Sequence, residues 1–211
     1  MEIAASSLRA RDAYALMTSL IVPRPIAWVS TLSNGKETNL APFSYFNGVG
    51  SDPPMVTLSI GNLRDGREKD TLRNIRETGE YCIHLVEHAW AEKMNLTSGA
   101  FAPEESEFEL AGLETKPCES IDGVRVNGVR AGMECKLLDI HTYGRKAKSN
   151  LVVGEVVHFF IDGSIYDESA TKLQSDCIEP VARLGGAEYA TLGKRFNLDR
   201  PDPEEIRRRR T

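Results

Sequence analysis

Apolar and polar positions alternate in several short runs of this chain, and turn residues bound most of them. Ile26 to Leu32 (IAWVSTL) is rich in β-branched and aromatic residues and predicts a strand. Ser33-Asn34-Gly35-Lys36 follows as a turn, with Asn-Gly suited to positive φ. Thr38 to Tyr45 then returns as the second arm of a hairpin. Pro53-Pro54 leads into a strand from Met55 to Ile60. The polar loop after it reaches Lys69-Asp70-Thr71, where Asp70 is the expected N-cap of a helix beginning near Thr71 and stopping at Gly79.

Glu80 to Val86 alternates again, with Tyr81, Ile83 and Leu85 on one face and Cys82, His84 and Val86 on the other. Glu87 to Met94 is helical, and 97–107 is a loop with a short helical piece. Beyond Leu113 the pattern is β: Val124 to Val126, Ala131 to His141, and Asn150 to Asp162 with a kink expected at Gly154. The first 20 residues predict a helical lead-in, ended by Pro23-Arg24-Pro25. Six to eight strands with hairpin-like connections and a few inserted helices favour an antiparallel barrel over a parallel sheet.

Composition narrows the setting. The chain has 211 residues, 41% of them hydrophobic, and a formal net charge of -5. That suits one domain over 1–211, with a charged tail at 200–211. No run approaches the roughly 18 apolar residues of a membrane span, and the mixed N-terminus lacks a secretory core. The expected location is cytoplasmic, with no membrane association. The acidic balance argues against nonspecific nucleic-acid binding. The exception, Arg207 to Arg210, is expected to be a solvated tail. Cys82, Cys118, Cys135 and Cys177 are scattered, with no CxxC pair to suggest zinc.

Common catalytic signatures are missing. There is no Walker A loop, no GxGxxG after a strand, no GxSxG elbow and no HExxH pair. His84 reads as a residue at the core edge or surface. His158 reads as facing the same side of its strand as Val156 and Phe160, either as a satisfied barrel histidine or near a ligand.

What remains is a polar and aromatic group early in the chain. Trp28, Phe43, Tyr45 and Phe46 offer aromatic surface, and Ser30, Thr31, Asn39 and Ser44 offer hydrogen bonds. Pro42 interrupts the ladder and leaves backbone groups free. A flat heteroaromatic ligand needs this mixture. At the end of the following loop, a helix N-terminus with Lys69 and Thr71 suits a phosphate. Arg64 and Arg67 read as solvated.

Arg24-Pro25-Ile26-Ala27-Trp28-Val29-Ser30-Thr31, then Asn39-Leu40-Ala41-Pro42-Phe43-Ser44-Tyr45-Phe46, Asp52-Pro53-Pro54 and Lys69-Asp70-Thr71-Leu72-Arg73-Asn74-Ile75 occur in this order. Together with the closing Arg183-Leu184-Gly185-Gly186-Ala187-Glu188-Tyr189, they resemble the flavin reductase-like family of FMN-binding split-barrel proteins over residues 14–200. The resemblance implies a mainly β fold with helical additions: a six-stranded antiparallel Greek-key split barrel, paired as a homodimer with FMN at the interface. It implies that Ser30, Thr31, Asn39, Ala41, Pro42, Phe43 and Ser44 line the ring and ribityl chain. Ser59, Lys69 and Thr71 would lie near the phosphate, with Arg183 and Tyr189 closing the site. It implies an oxidoreductase that passes electrons from NADH or NADPH to free flavin, a metal complex or a partner protein. An FMN-binding electron carrier or flavin store without NAD(P)H turnover is the alternative, and a barrel that has lost its cofactor is a third reading.

Overall fold

A computed structural model describes residues 1–145 and 147–208, without the side chain of Ile206. The helix α1 spans Ala10–Leu20 and leads to a two-residue strand β1, Arg24–Pro25. The predicted hairpin forms as β2, Ala27–Leu32, and β3, Thr38–Phe43, in continuous register from Ala27↔Phe43 to Leu32↔Thr38. Its turn places the positive φ on Lys36, at 68°, rather than on the Asn34-Gly35 pair. Next come β4, Phe46–Ser51, and β5, Pro54–Gly61. The helix α2 covers Asp70–Thr78. It ends on Gly79 at φ 72°, whose N–H bonds Ile75 O at 2.9 Å. Asp70 is the first helical residue and Lys69 the N-cap, one position earlier than expected.

The remaining elements are β6, Glu80–Leu85; α3, Ala91–Leu96; α4, Glu107–Leu110; β7, Thr115–Pro117; and β8, Val124–Val126. Two long strands, β9, Ala131–Tyr143, and β10, Ser149–Ile161, carry the later β pattern. Short strands β11, Tyr166–Asp167, and β12, Lys172–Leu173, precede the hairpin of β13, Val181–Arg183, and β14, Tyr189–Thr191. A short helix α5, Pro203–Arg208, takes part of the expected solvated tail. Arg209 and Arg210 lie outside the described residues.

Seven strands form one antiparallel sheet in the order β3-β2-β6-β9-β10-β5-β4, not the six expected. The added strand is β4, whose sequence FNGVGS has no apolar alternation and is mostly exposed. Strands β3 and β4 lie at opposite edges of this order, yet only Ser44 and Tyr45 connect them. Three Cα steps reach about 11 Å at most, whereas seven flat strands would span about 29 Å. The sheet must therefore curl until its edges meet. Ser59 N–H donates to Tyr45 O at 2.8 Å, which carries the β4–β5 pairing up to this short connection. The two edge strands do not pair as a ladder, so the barrel is split along β3.

Curling gives two cores. Val29, Phe43, Leu58, Ile83 and Val152 fill the interior, with Leu72 and Ile75 of α2 packed among them. Trp28, Leu40, Cys82, Val86 and Phe160 face outward, covered by Met94 of α3, Phe108 of α4 and Val126 of β8. Two bulges shape β10. One lies at Gly154, as expected. A second, between Val156 and His158, reverses the facing of the strand: Val156 enters the inner core and Phe160 the outer one. His158 therefore does not share one side with both, and is half-buried beside the bulge.

His84 is also corrected. It is completely buried. Its Nδ1–H donates to Trp28 O at 2.8 Å and its Nε2 accepts from Val126 N–H at 2.9 Å. The ring bolts β8 to β2. Its cover comes from residues forty positions downstream, which local alternation does not reveal.

Candidate functional site

Two features meet at the split. The first is the loop from Asn62 to Lys69, which folds on itself. Asn62 Nδ2 donates to Gly66 O at 2.8 Å, and Asp65 holds the Arg67 guanidinium at 2.7 Å. Glu68 pairs with Arg76 at 3.1 Å and Asp70 with Arg73 at 2.5 Å. Each nearby acid is thus taken by an arginine, and Lys69 has no acidic partner among the described residues. It is half-buried, with Nζ 5.4 Å from the centre of the Phe43 ring. Burial pulls its ammonium below the ordinary lysine range, because no counter-ion offsets the lost hydration. Lys69 also begins α2, a helix whose N-terminus carries no side-chain cap. An uncapped helix start beside an uncompensated cation has the chemistry that suits an anion.

The second feature is the edge strand β3. Leu40 N–H points away from β2 and donates to Glu107 Oε2 at 3.0 Å. Burial raises the pKa of that carboxyl. Antiparallel alternation turns the backbone of Pro42 to the same free side, where proline has no N–H to leave unsatisfied. Ala41, Pro42 and Ser44 are half-buried here, while Phe43 points into the barrel. Beside them opens a cleft of about 340 Å³, lined by Tyr14, Arg24, Pro42, Ser44, Arg183 and Tyr189 among others.

Buried amides join the two features. Asn39 Nδ2 donates to Thr31 Oγ1 at 3.1 Å and Thr71 Oγ1 at 3.0 Å, and Asn74 Nδ2 donates to Thr31 Oγ1 at 3.1 Å. Asn74 Oδ1 is buried with no hydrogen-bond partner among the described residues.

The structure thus brings Thr31, Asn39 and Thr71 into one network, sets Lys69 over Phe43, and places Pro42, Ser44, Arg183 and Tyr189 on one cleft. Ser59 lies on β5, its hydroxyl 2.6 Å from that of Ser149. Ser30 is not brought to the Thr31 face: it is buried on the opposite side of β2 and donates to Val124 O at 2.5 Å. Arg183 stacks on Tyr189 with 4.4 Å from guanidinium to ring centre and bonds its hydroxyl, and Tyr189 donates to Asn95 Oδ1 at 2.9 Å. Sequence reasoning gave no site role to Arg24 and Asn74. Their signal was present in the Arg24-Pro25 doublet and in the first turns of α2. Among the described residues no group of three His, Cys, Asp or Glu is placed to hold a metal.

Comparison with known proteins agrees with this fold. The signature described as "Flavin reductase like domain" matches residues 17–174. The crystal structure of nitrilotriacetate monooxygenase component B from Bacillus cereus is similar at TM-score 0.90 and 33% identity, covering 94% of this chain and 98% of that one. The 2-nitrobenzoate 2-nitroreductase NbaA of Pseudomonas fluorescens is similar at TM-score 0.86 and 33% identity, covering 95% and 96%. A split barrel domain structure from Shewanella frigidimarina NCIMB 400 is similar at TM-score 0.82 and 25% identity, covering 95% and 100%. The chain belongs to the flavin reductase-like family.

Proposed function

We propose that the chain is an FMN-binding oxidoreductase that takes electrons from NADH or NADPH and passes them to free flavin, a metal complex or a partner protein. The observation that carries this reading is Lys69: a half-buried cation without an acid, at the uncapped start of α2, beside a strand edge suited to a flat ring. The residues fit the cofactor at both ends. Lys69 and the first N–H groups of α2 would hold the phosphate. The backbone of Ala41 to Ser44 and the Ser44 hydroxyl would hold the ring edge, while Arg183 and Tyr189 close the cleft. When bound, FMN supplies the two-electron chemistry, and the protein supplies binding, orientation and electrostatics. The names of two similar proteins, a monooxygenase component and a nitroreductase, support electron transfer as the activity class.

A homodimer belongs to the same proposal. A second, apolar groove of about 540 Å³ runs past Pro25, Leu85, Met133, Phe159, Ile161 and Leu192, and among the described residues no Asp, Glu, Lys or Arg lines it. Phe159 is 53% exposed there, an apolar face that a second copy would cover.

The reading is tested by anaerobic mixing of FMN-loaded protein with NADH and NADPH. Bleaching of the flavin absorbance within seconds to minutes is expected with at least one. No bleaching with either would contradict NAD(P)H turnover and leave the carrier or store.

A further inference from the structure

Among the described residues the buried Asp, Glu, Lys and Arg side chains are Arg24, Glu87, Glu107, Arg125 and Glu134. Four of these are hydrogen-bonded. Arg24 donates to the Thr18, Ile21 and Leu184 carbonyls, Glu87 accepts from Arg130, and Glu107 and Glu134 accept backbone N–H groups. Arg125 makes no side-chain hydrogen bond among the described residues. Its one carboxylate neighbour, Glu119, stands 3.7 Å from Nη2, beyond hydrogen-bond reach, and is 62% exposed. The guanidinium lies over the Phe160 ring, 4.5 Å from its centre. That stack engages the face of the cation and leaves the five N–H donors at its edge unused. A buried charge in this state is costly unless something offsets it.

A second observation points to the same missing charge. Strands β7 and β8 form a two-stranded ribbon of their own, and Lys116 stands directly opposite Arg125 in its register. Opposed residues project to one face with Cβ atoms about 5 Å apart, where like charges repel. Lys116 has no ion-pair partner among the described residues. Both cations line a pocket of about 270 Å³, together with Asn127, Arg130, Phe160 and Asp162 among others. The other polar groups there are engaged: Arg130 with Glu87, Asn127 with Glu114, and Asp162 with Ser164 N–H.

We infer that this pocket is a binding site for a divalent oxyanion, a phosphate group or a dicarboxylate, held between Arg125 and Lys116. The anion supplies acceptors to the guanidinium edge and removes the repulsion across the ribbon. It also acts on the fold. Val126, next to Arg125, donates its N–H to His84 Nε2 and packs in the outer core. An anion bound here clamps the ribbon to the barrel. The pocket shares no lining residue with the 340 Å³ cleft assigned to the flavin. The inference therefore stands whether or not the chain binds FMN.

The test titrates the full chain with inorganic phosphate and with malonate, against chloride at constant ionic strength. The readouts are the thermal midpoint and tryptophan emission. A Cβ on Gly128, in the pocket wall, would lie 3.4 Å from Trp90 Cζ2, so this indole reports on the wall. A saturable rise in midpoint and a saturable change in emission are expected in wild type. Lys116→Gln should raise the half-saturating concentration by about fivefold or more. Arg125→Gln should abolish the response, and Arg125→Lys should restore part of it, since it keeps the charge and loses the planar fork. In chloride alone Lys116→Gln should melt above wild type, because it removes the opposed charge, and saturating anion should narrow that gap. A response to phosphate alone assigns a phosphate group, and one to malonate alone a dicarboxylate. No response to either would overturn the proposal. So would equal rises in wild type, Lys116→Gln and Arg125→Gln, which mark a bulk salt effect. Loss of the response in Lys69→Ala would also overturn it, by moving the anion to the start of α2. Lys116 is exposed, so its variant keeps the test readable if Arg125→Gln does not fold.

Discussion

Asn39 Nδ2 lies 3.0 Å from Thr71 Oγ1, so the second arm of the hairpin is tied directly to the first turn of α2. The same amide donates to Thr31 Oγ1. One side chain therefore fixes the proposed ring end of the site against the proposed phosphate end. Asn39→Ala removes both bonds and leaves buried groups short of partners. The expected cost is about 1–3 kcal/mol, read as a lower urea midpoint with an unchanged slope. A midpoint equal to that of wild type would remove the network from the stability of the fold.

His84 makes the fold sensitive to acid. Burial pulls its pKa from 6.5 to about 4. Above pH 6.5 the imidazole is neutral folded and unfolded, and contributes no pH dependence. Between pH 6.5 and 4 only the unfolded chain takes up the proton, so stability falls as pH falls. The total is on the order of 3 kcal/mol, levelling off below pH 4. Urea unfolding at pH 7 and pH 5 should show about 2 kcal/mol of this loss in wild type and less in His84→Gln. The same loss in both would assign it to other groups.

The bulge at Gly154 is a packing requirement. A Cβ there would sit 2.0 Å from Tyr81 Oη and 3.1 Å from Lys136 O. Gly154→Ala should cost about 1–3 kcal/mol through overpacking. Adding Tyr81→Phe removes the nearer clash, and the double variant should recover part of the loss. Simple additivity of the two substitutions in denaturant titrations would contradict the clash.

Much of this architecture was legible in the chain. The β2–β3 hairpin followed from alternation in IAWVSTL and its return, and α2 from the cap signal at Asp70, one residue late, and its stop at Gly79. β4 was not legible, because FNGVGS carries no apolar period and owes its strand form to pairing with β5. The facing of Val156 and Phe160 was misread because a continuous apolar run conceals the bulge between them. In the site, residue types suggested a ring and a phosphate, but not the direction of each side chain. Ser30 and Thr31 are adjacent, so the pleat sends them to opposite faces. The unpaired state of Lys69 depends on which acids its neighbours take, and only the tertiary structure settles that.

Phe159 tests the assembly. Phe159→Asp places a charge in the apolar groove and should shift the species seen by light scattering from twice the chain mass to one chain mass. A wild type that is monomeric at micromolar concentration would reject the dimer.

The central claim is the phosphate end of the site, and paired titrations of FMN and riboflavin, followed by fluorescence quenching, test it most directly. Riboflavin lacks the phosphate, so wild type should bind FMN much more tightly. Lys69→Ala should weaken FMN by about 1.5–3 kcal/mol and riboflavin far less. Equal binding of the two flavins by wild type, or equal losses for both in Lys69→Ala, would contradict it.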